Sequence, residues 1–266
     1  MSFFPTAEPV PPDGSPDLCG PMTEEITDSM ARSAELAGRL AAIRRRIETA
    51  VSEAGRTGDL PTLIVVTKFH PAADIARLAA LGVRDVGENR DQEASAKAAE
   101  LAHLGLNWHF VGQLQSKKAK SVAKYAHALH SVDRPGLVDG LQRAVAAEQD
   151  KTGRGALQCF IQVSLDDDAG VHRGGAAPSD VPQLADLVAA AAGLELTGLM
   201  AVAPLDASPE TAFEKLAAIS ASMVADHPGA GAISAGMSQD LEAAIRFGAT
   251  HLRIGSDILG SRPAVG

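Results

Sequence analysis

Apolar and polar positions along this chain alternate between two periods. Residues 36–51 place Leu36, Leu40, Ile43, Ile47 and Val51 four, three, four and four apart, which predicts one long helix with a single apolar stripe. Thr27 or Asp28 is its expected N-cap. Residues 63–66, Leu-Ile-Val-Val, form an unbroken branched run ending at Thr67 and Lys68. Such a run predicts a strand buried on both faces, as in a parallel sheet. Helix 72–80 follows, then strand 83–86, helix 91–101, strand 107–111 and helix 117–125. Strand 128–132, helix 137–148, strand 157–164 and helix 181–192 continue the series. Strand 195–201, helix 211–224, strand 231–234, helix 240–247 and strand 251–254 complete it.

Eight strand-like units alternating with helices imply an α/β fold with a parallel sheet inside and helices outside. Their number and spacing fit a single closed (β/α)8 TIM-type barrel with one extra N-terminal helix. An open doubly wound sheet is the competing architecture. It calls for a glycine-rich turn after the first strand, and Lys68-Phe69-His70-Pro71 stands there instead.

Composition narrows this picture. Of 266 residues, 45% are apolar but only 3% aromatic, so a sizeable core has to be aliphatic and alanine-rich. The formal net charge of −9 argues against a general nucleic-acid binder, which needs clustered cations. Arg44, Arg45 and Arg46 are read as a solvated helix face rather than an anion patch. Two cysteines, Cys19 and Cys159, are too few for a disulfide framework or a cysteine-built metal site. Residues 1–22 hold six prolines and two glycines without the layout of a signal peptide, and read as a disordered tail before a domain at 23–266. No stretch is long and apolar enough for a membrane span. The expected location is cytoplasmic.

In such a barrel, reactive groups collect at the carboxyl ends of the strands. Lys68 ends the first strand, where burial would disfavour its ammonium and free an amine for attack on a carbonyl. The plainer alternative is an exposed strand end. Ser238 precedes the helix near Gln239, and Gly255-Ser256 follows the last strand. Backbone N–H groups and hydroxyls after the last two strands suit a phosphate, although Ser238 also suits a simple N-cap. An amine opposite a phosphate cradle leaves two chemistries open: a pyridoxal phosphate aldimine, or a class I aldolase acting on a sugar phosphate. Arg253 either faces a pyridine nitrogen or pairs with a barrel carboxylate.

The ordered motifs VTKFH, GENRDQE, WHFVGQLQSKK, SVDR, GLMAV and SAGMSQDLEAAIRFGATHLRIGSDILG resemble the pyridoxal phosphate homeostasis proteins, which are related to the barrel domain of alanine racemase. The resemblance runs from the first helix to about Arg262. It implies a fold-type III barrel in which Lys68 forms the internal aldimine with pyridoxal 5′-phosphate. It implies that Asn89 lies beside the ring, that Arg253 faces the pyridine nitrogen, and that Ser238, Gly255 and Ser256 bind the phosphate. His109 and Met200 are expected to line the same mouth. Ser256 stands where the family usually has threonine, which keeps the hydroxyl. Residues 166–175, DDDAGVHRGG, replace a lysine and glycine loop of many relatives; Arg173 keeps the charge, and a solvated loop is the simpler reading.

The family's role is to hold and buffer the cofactor in vitamin B6 homeostasis, with apo-enzymes as possible recipients and a monomer favoured over a dimer. Racemisation needs a base on each face of the bound amino acid. The one tyrosine, Tyr125, sits late in the helix after the third strand. An arginine at the pyridine nitrogen also weakens the ring as an electron sink. The expectation is a carrier without robust catalysis. A weak amino-acid racemase or a class I aldolase is the alternative.

Overall fold

A computed structural model describes residues 21–166, 174–205 and 207–261. Residues 1–20 of the expected tail, Cys19 among them, and residues 167–173 of the Asp166–Gly175 loop, with Arg173, lie outside the described residues. Helix α1 spans Pro21–Glu53. Strand β1 (Thr62–Val66) leads to α2 (Ala72–Ala80), and β2 (Asp85–Glu88) to α3 (Asp91–Glu100). Then come β3 (Asn107–Phe110) with α4 (Ala119–Tyr125), β4 (Ala126–Val132) with α5 (Pro135–Thr152), and β5 (Leu157–Gln162) with α6 (Val181–Ala190). The chain ends with β6 (Leu194–Met200), α7 (Pro209–Asp226), β7 (Ala232–Ser234), α8 (Leu241–Arg246), β8 (His251–Ile254) and a short α9 (Ser256–Leu259).

The eight strands close in sequence order into a barrel, and every neighbouring pair is parallel. Closure is made by β1 against β8, with Thr62 opposite His251 and Val65 opposite Ile254. Ile64 and Val65 are both fully buried, one toward the lumen and one toward the helices. The closed barrel therefore stands and the open sheet does not.

The apolar core lies between the strands and the helix ring. Leu36, Leu40, Ile43, Ile47 and Val51 bury the stripe of α1 there, and α1 packs on α2, α8 and α9. It is already helical at Pro21, so neither Thr27 nor Asp28 is its cap. Arg46 is more than a solvated face residue, since it pairs with Glu242 of α8 and Asp257 of α9. Strand β2 starts at Asp85 instead of at residue 83 because the Val83 N–H is taken by the Leu78 carbonyl at the end of α2. Among the described residues, no helix is long and apolar enough to cross a membrane.

Inside the barrel the sequence has to be small in places. A Cβ on Gly198 would lie 1.8 Å from the Ala232 carbonyl oxygen on the paired strand β7. Neither backbone can retreat without breaking the ladder. Gly198→Ala is thus expected to lower stability by ~3 kcal/mol, read from the urea midpoint. Gly136→Ala in α5, where nothing lies within 4 Å of the added carbon, should leave that midpoint in place or raise it. Equal midpoints for the two variants would contradict this packing.

Candidate functional site

Beyond Val66 the chain turns sharply over the barrel mouth. Phe69 adopts φ 70°, a left-handed conformation that a bulky residue takes only when neighbours hold it. They do so here. The Phe69 N–H donates to Glu93 Oε1 at 2.6 Å, and Lys97 Nζ donates to the same oxygen at 2.6 Å. Lys97 Nζ also donates to the Thr67 carbonyl at 2.9 Å and to Glu88 Oε1 at 2.7 Å, while Thr67 Oγ1 donates to Glu88 Oε1 at 2.7 Å. The backbone on either side of Lys68 is thereby clamped from below by α3. Burial pushes the Glu88 carboxyl above its ordinary pKa, against the pull of its bonds to Lys97 and Thr67. Lys68 itself is exposed, with Nζ 6.0 Å from the centre of the Phe69 ring. Its expected burial is not found, because the chain leaves the strand at Val66 and turns, which leaves the side chain in solvent.

The adjoining rim carries the hydroxyls. Ser238 Oγ and Ser256 Oγ lie 3.5 Å apart, between the loops after β7 and β8. Ser238 is not the cap of the next helix. Asp240 holds that position and its Oδ1 accepts the Met237 N–H at 2.6 Å, so the Ser238 hydroxyl is left pointing to its partner serine. Gly255 brings the β8 loop against the first strand: an added Cβ would lie 3.1 Å from the Val66 carbonyl oxygen. The hydroxyl pair therefore borders the Lys68 turn. Asn89, after β2, has its Oδ1 buried without a hydrogen-bond partner among the described residues. Such an orphaned acceptor in a mouth is what a donor on a bound molecule would satisfy.

Arg253 lies inside the barrel and is 5% exposed. It donates to Ser234 Oγ at 2.7 Å and to the Ala201 carbonyl at 2.8 Å. No carboxylate pairs with it among the described residues, so the ion-pair alternative is not realised. Burial lowers its pKa to about 10, partly offset by Asp240, which leaves it a cation at neutral pH. Met200 is buried against Ala128 and Phe160 and borders a 620 Å³ cavity together with Gln162, Val202 and Met237. His109 does not line the mouth. Its position on β3 turns it into the lumen, where Nε2 lies 3.0 Å from Asp85 Oδ1 and Nδ1 lies 2.9 Å from His130 Nε2.

The lumen holds residues that reading the strand ends did not single out. His130 is fully buried, stacks on Phe160 with ring centres 4.3 Å apart, and has Nδ1 2.9 Å from Ser234 Oγ. His251 packs edge-on against Phe160 at 5.1 Å. A signal was available on β8, where His251 and Arg253 alternate with outward Leu252 and Ile254, so the period of two places them inside; on β4 the polar Ser131 beside His130 blurs it.

The chain is similar to a known family in sequence and fold. The model of the alanine racemase N-terminal domain family matches residues 39–263. The pyridoxal phosphate homeostasis protein of Mycobacterium tuberculosis (strain ATCC 25618 / H37Rv) is 43% identical over 255 residues, covering 91% of this chain and 98% of the relative. That of Corynebacterium glutamicum is 44% identical over 223 residues, covering 83% and 99%. Among solved structures, PipY of Synechococcus elongatus PCC7942 with PLP bound is 33% identical, with TM-score 0.71 over 85% of this chain and all of that one.

Buried imidazoles make the fold sensitive to acid. Burial lowers the pKa of His251 to about 4, that of His130 well below its ordinary value, and that of His127 in the same direction. Between pH ~6.5 and ~4 the folded chain binds fewer protons than the unfolded one. Stability is full above pH ~6.5 and is lost as pH falls, on the order of 3 kcal/mol from His251 alone. Denaturant midpoints should drop steadily from pH ~7 to ~4.5, and His251→Gln should flatten part of that slope. Midpoints independent of pH over this range would show that the histidines are not held neutral.

Proposed function

The chain belongs to the pyridoxal phosphate homeostasis protein family, on the barrel of the alanine racemase N-terminal domain, and from that premise we propose that its mouth holds pyridoxal 5′-phosphate and that it serves the cell as a carrier of this cofactor. The observation that carries the reading is the closed β1–β8 seam, which sets the β8 loop with the Ser238–Ser256 hydroxyl pair beside the end of the strand that leads to Lys68. When bound, the cofactor supplies an aldehyde that an amine can take covalently and a ring that delocalises charge. Lys68 is the amine, held at the rim by the clamped turn. Ser238 and Ser256 donate to phosphate oxygens, and Gly255 keeps the backbone close enough to do the same. Asn89 offers its orphaned Oδ1 beside the ring. Arg253 presents a donor, and no exchangeable acid, to the ring nitrogen.

We read the site as lacking robust catalysis. A racemase needs a second base on the far face of the bound amino acid. Tyr125 donates to Asp91 Oδ1 at 3.4 Å, and burial together with that carboxylate raises its pKa far above neutral pH, so it stays protonated. A guanidinium at the ring nitrogen leaves the ring a weak acceptor of carbanion charge. Holding the aldehyde and passing it to apo-enzymes is the use that remains.

Four measurements test this. Incubation with pyridoxal phosphate should produce near-visible absorbance that borohydride abolishes. Lys68→Ala should remove both the absorbance and the covalent mass, whereas a persisting adduct would reject the lysine. Ser238→Ala with Ser256→Ala should weaken uptake at least tenfold, each lost charge-assisted hydrogen bond contributing ~1.5 kcal/mol. L-Alanine should racemise at well under ~1 s⁻¹, and turnover at or above that rate would favour the enzyme. Transfer from the loaded protein to an apo-enzyme, compared with free cofactor, reads delivery directly.

A further inference from the structure

Five side chains from five strands cross the lumen in one line. Asp85 Oδ1 lies 3.0 Å from His109 Nε2, His109 Nδ1 lies 2.9 Å from His130 Nε2, His130 Nδ1 lies 2.9 Å from Ser234 Oγ, and Arg253 donates to Ser234 Oγ at 2.7 Å. With both imidazoles neutral, the fixed charges at the ends set the direction of every proton. A guanidinium only donates, so Ser234 Oγ accepts from Arg253. The Asp85 carboxylate only accepts. Burial raises its pKa, but hydrogen bonds from His109 and Asn107 outweigh this and keep it below its ordinary value. His109 therefore carries its proton on Nε2 and accepts on Nδ1. His130 in turn donates from Nε2 and accepts the Ser234 hydroxyl proton on Nδ1. One arrangement of neutral imidazoles satisfies all four contacts.

From this line we propose that Asp85, His109, His130 and Ser234 are positioning residues that act through Arg253, fixing its guanidinium beneath the ring nitrogen of the cofactor and giving it a counter-charge on the far side of the barrel. The inference rests on the cofactor reading above, since Arg253 has to face that ring. The separation has a chemical consequence. A carboxylate beside the ring nitrogen would favour a protonated ring. With serine and two neutral imidazoles interposed, the guanidinium is oriented and polarised toward an anion that the ring itself does not meet. Full burial of His130 opposes a second cation along the line.

The experiment has two arms. In the first, the full chain with ¹⁵N-labelled histidine and no cofactor is examined by long-range ¹H–¹⁵N spectra at neutral pH. His109 and His130 are expected as neutral Nε2–H tautomers; an Nδ1–H tautomer or a doubly protonated ring at either position overturns the relay. In the second, wild type, Asp85→Asn, Ser234→Ala and Ser234→Thr are titrated with pyridoxal phosphate. Asp85→Asn and Ser234→Ala should each bind about tenfold more weakly and shift the absorption maximum, with the borohydride-reducible adduct on Lys68 retained. Ser234→Thr, which keeps the hydroxyl, should restore both. Wild-type spectrum and affinity in both Asp85→Asn and Ser234→Ala would overturn the positioning role. The histidine spectra need only the wild-type chain, so they decide the relay even where a variant fails to fold. Should the wild type take up no pyridoxal phosphate, the cofactor reading falls, and the tautomers alone uphold or overturn the relay.

Discussion

The hydrogen bonds between β1 and β8 join the first strand of the barrel to the last, with four residue pairs in register from Thr62–His251 to Val65–Ile254. This seam brings together two segments about 190 residues apart in the chain, a long-range contact whose loop entropy only a cooperative fold can offset. Everything proposed for the mouth depends on it. Lys68 stands two residues past β1 and Gly255-Ser256 follows β8 directly, so closure brings the chain segments that carry them side by side. Gly255 tightens the seam, because a side chain there would press on the Val66 carbonyl.

Closure also creates a lumen that this chain fills with polar groups. Barrel interiors are ordinarily packed with branched apolar residues, yet Asp85, His109, His130, Ser234 and Arg253 all lie within this one. Each such group would be costly if left unpaired. They are tolerated because each satisfies the next. At the ends of β1 and β2 a second polar set, buried Thr67, Glu88 and Lys97 with half-buried Glu93, applies the same rule to hold the turn around Lys68. The apolar core between the two sets is left to carry the helix packing.

Much of this was legible along the chain. Helix Ala72–Ala80 and strand His251–Ile254 have the bounds that periodicity predicts. Elsewhere the ends moved where a hydrogen bond was taken by something nonlocal or unexpected. The N–H of Val83 went to a helix carbonyl, and Asp240 displaced Ser238 as the cap. Helix α9 was missed because four residues are too few to show a period. His109 was expected in the mouth from the family resemblance, but a motif does not say which way a side chain leans once the barrel has twisted, and here it turns into the lumen.

The sequence by itself determined the barrel, the order of its strands and the small set of residues at their carboxyl ends. Those are properties of local period and of motif order, which survive without any knowledge of distance. Only the tertiary structure decided that Lys68 stands exposed above a clamped turn, that Ser238 faces Ser256, and that two histidines connect Arg253 to Asp85. These depend on contacts between strands far apart in the chain, and a hydrogen bond is decided by a few tenths of an ångström that no one-dimensional pattern contains.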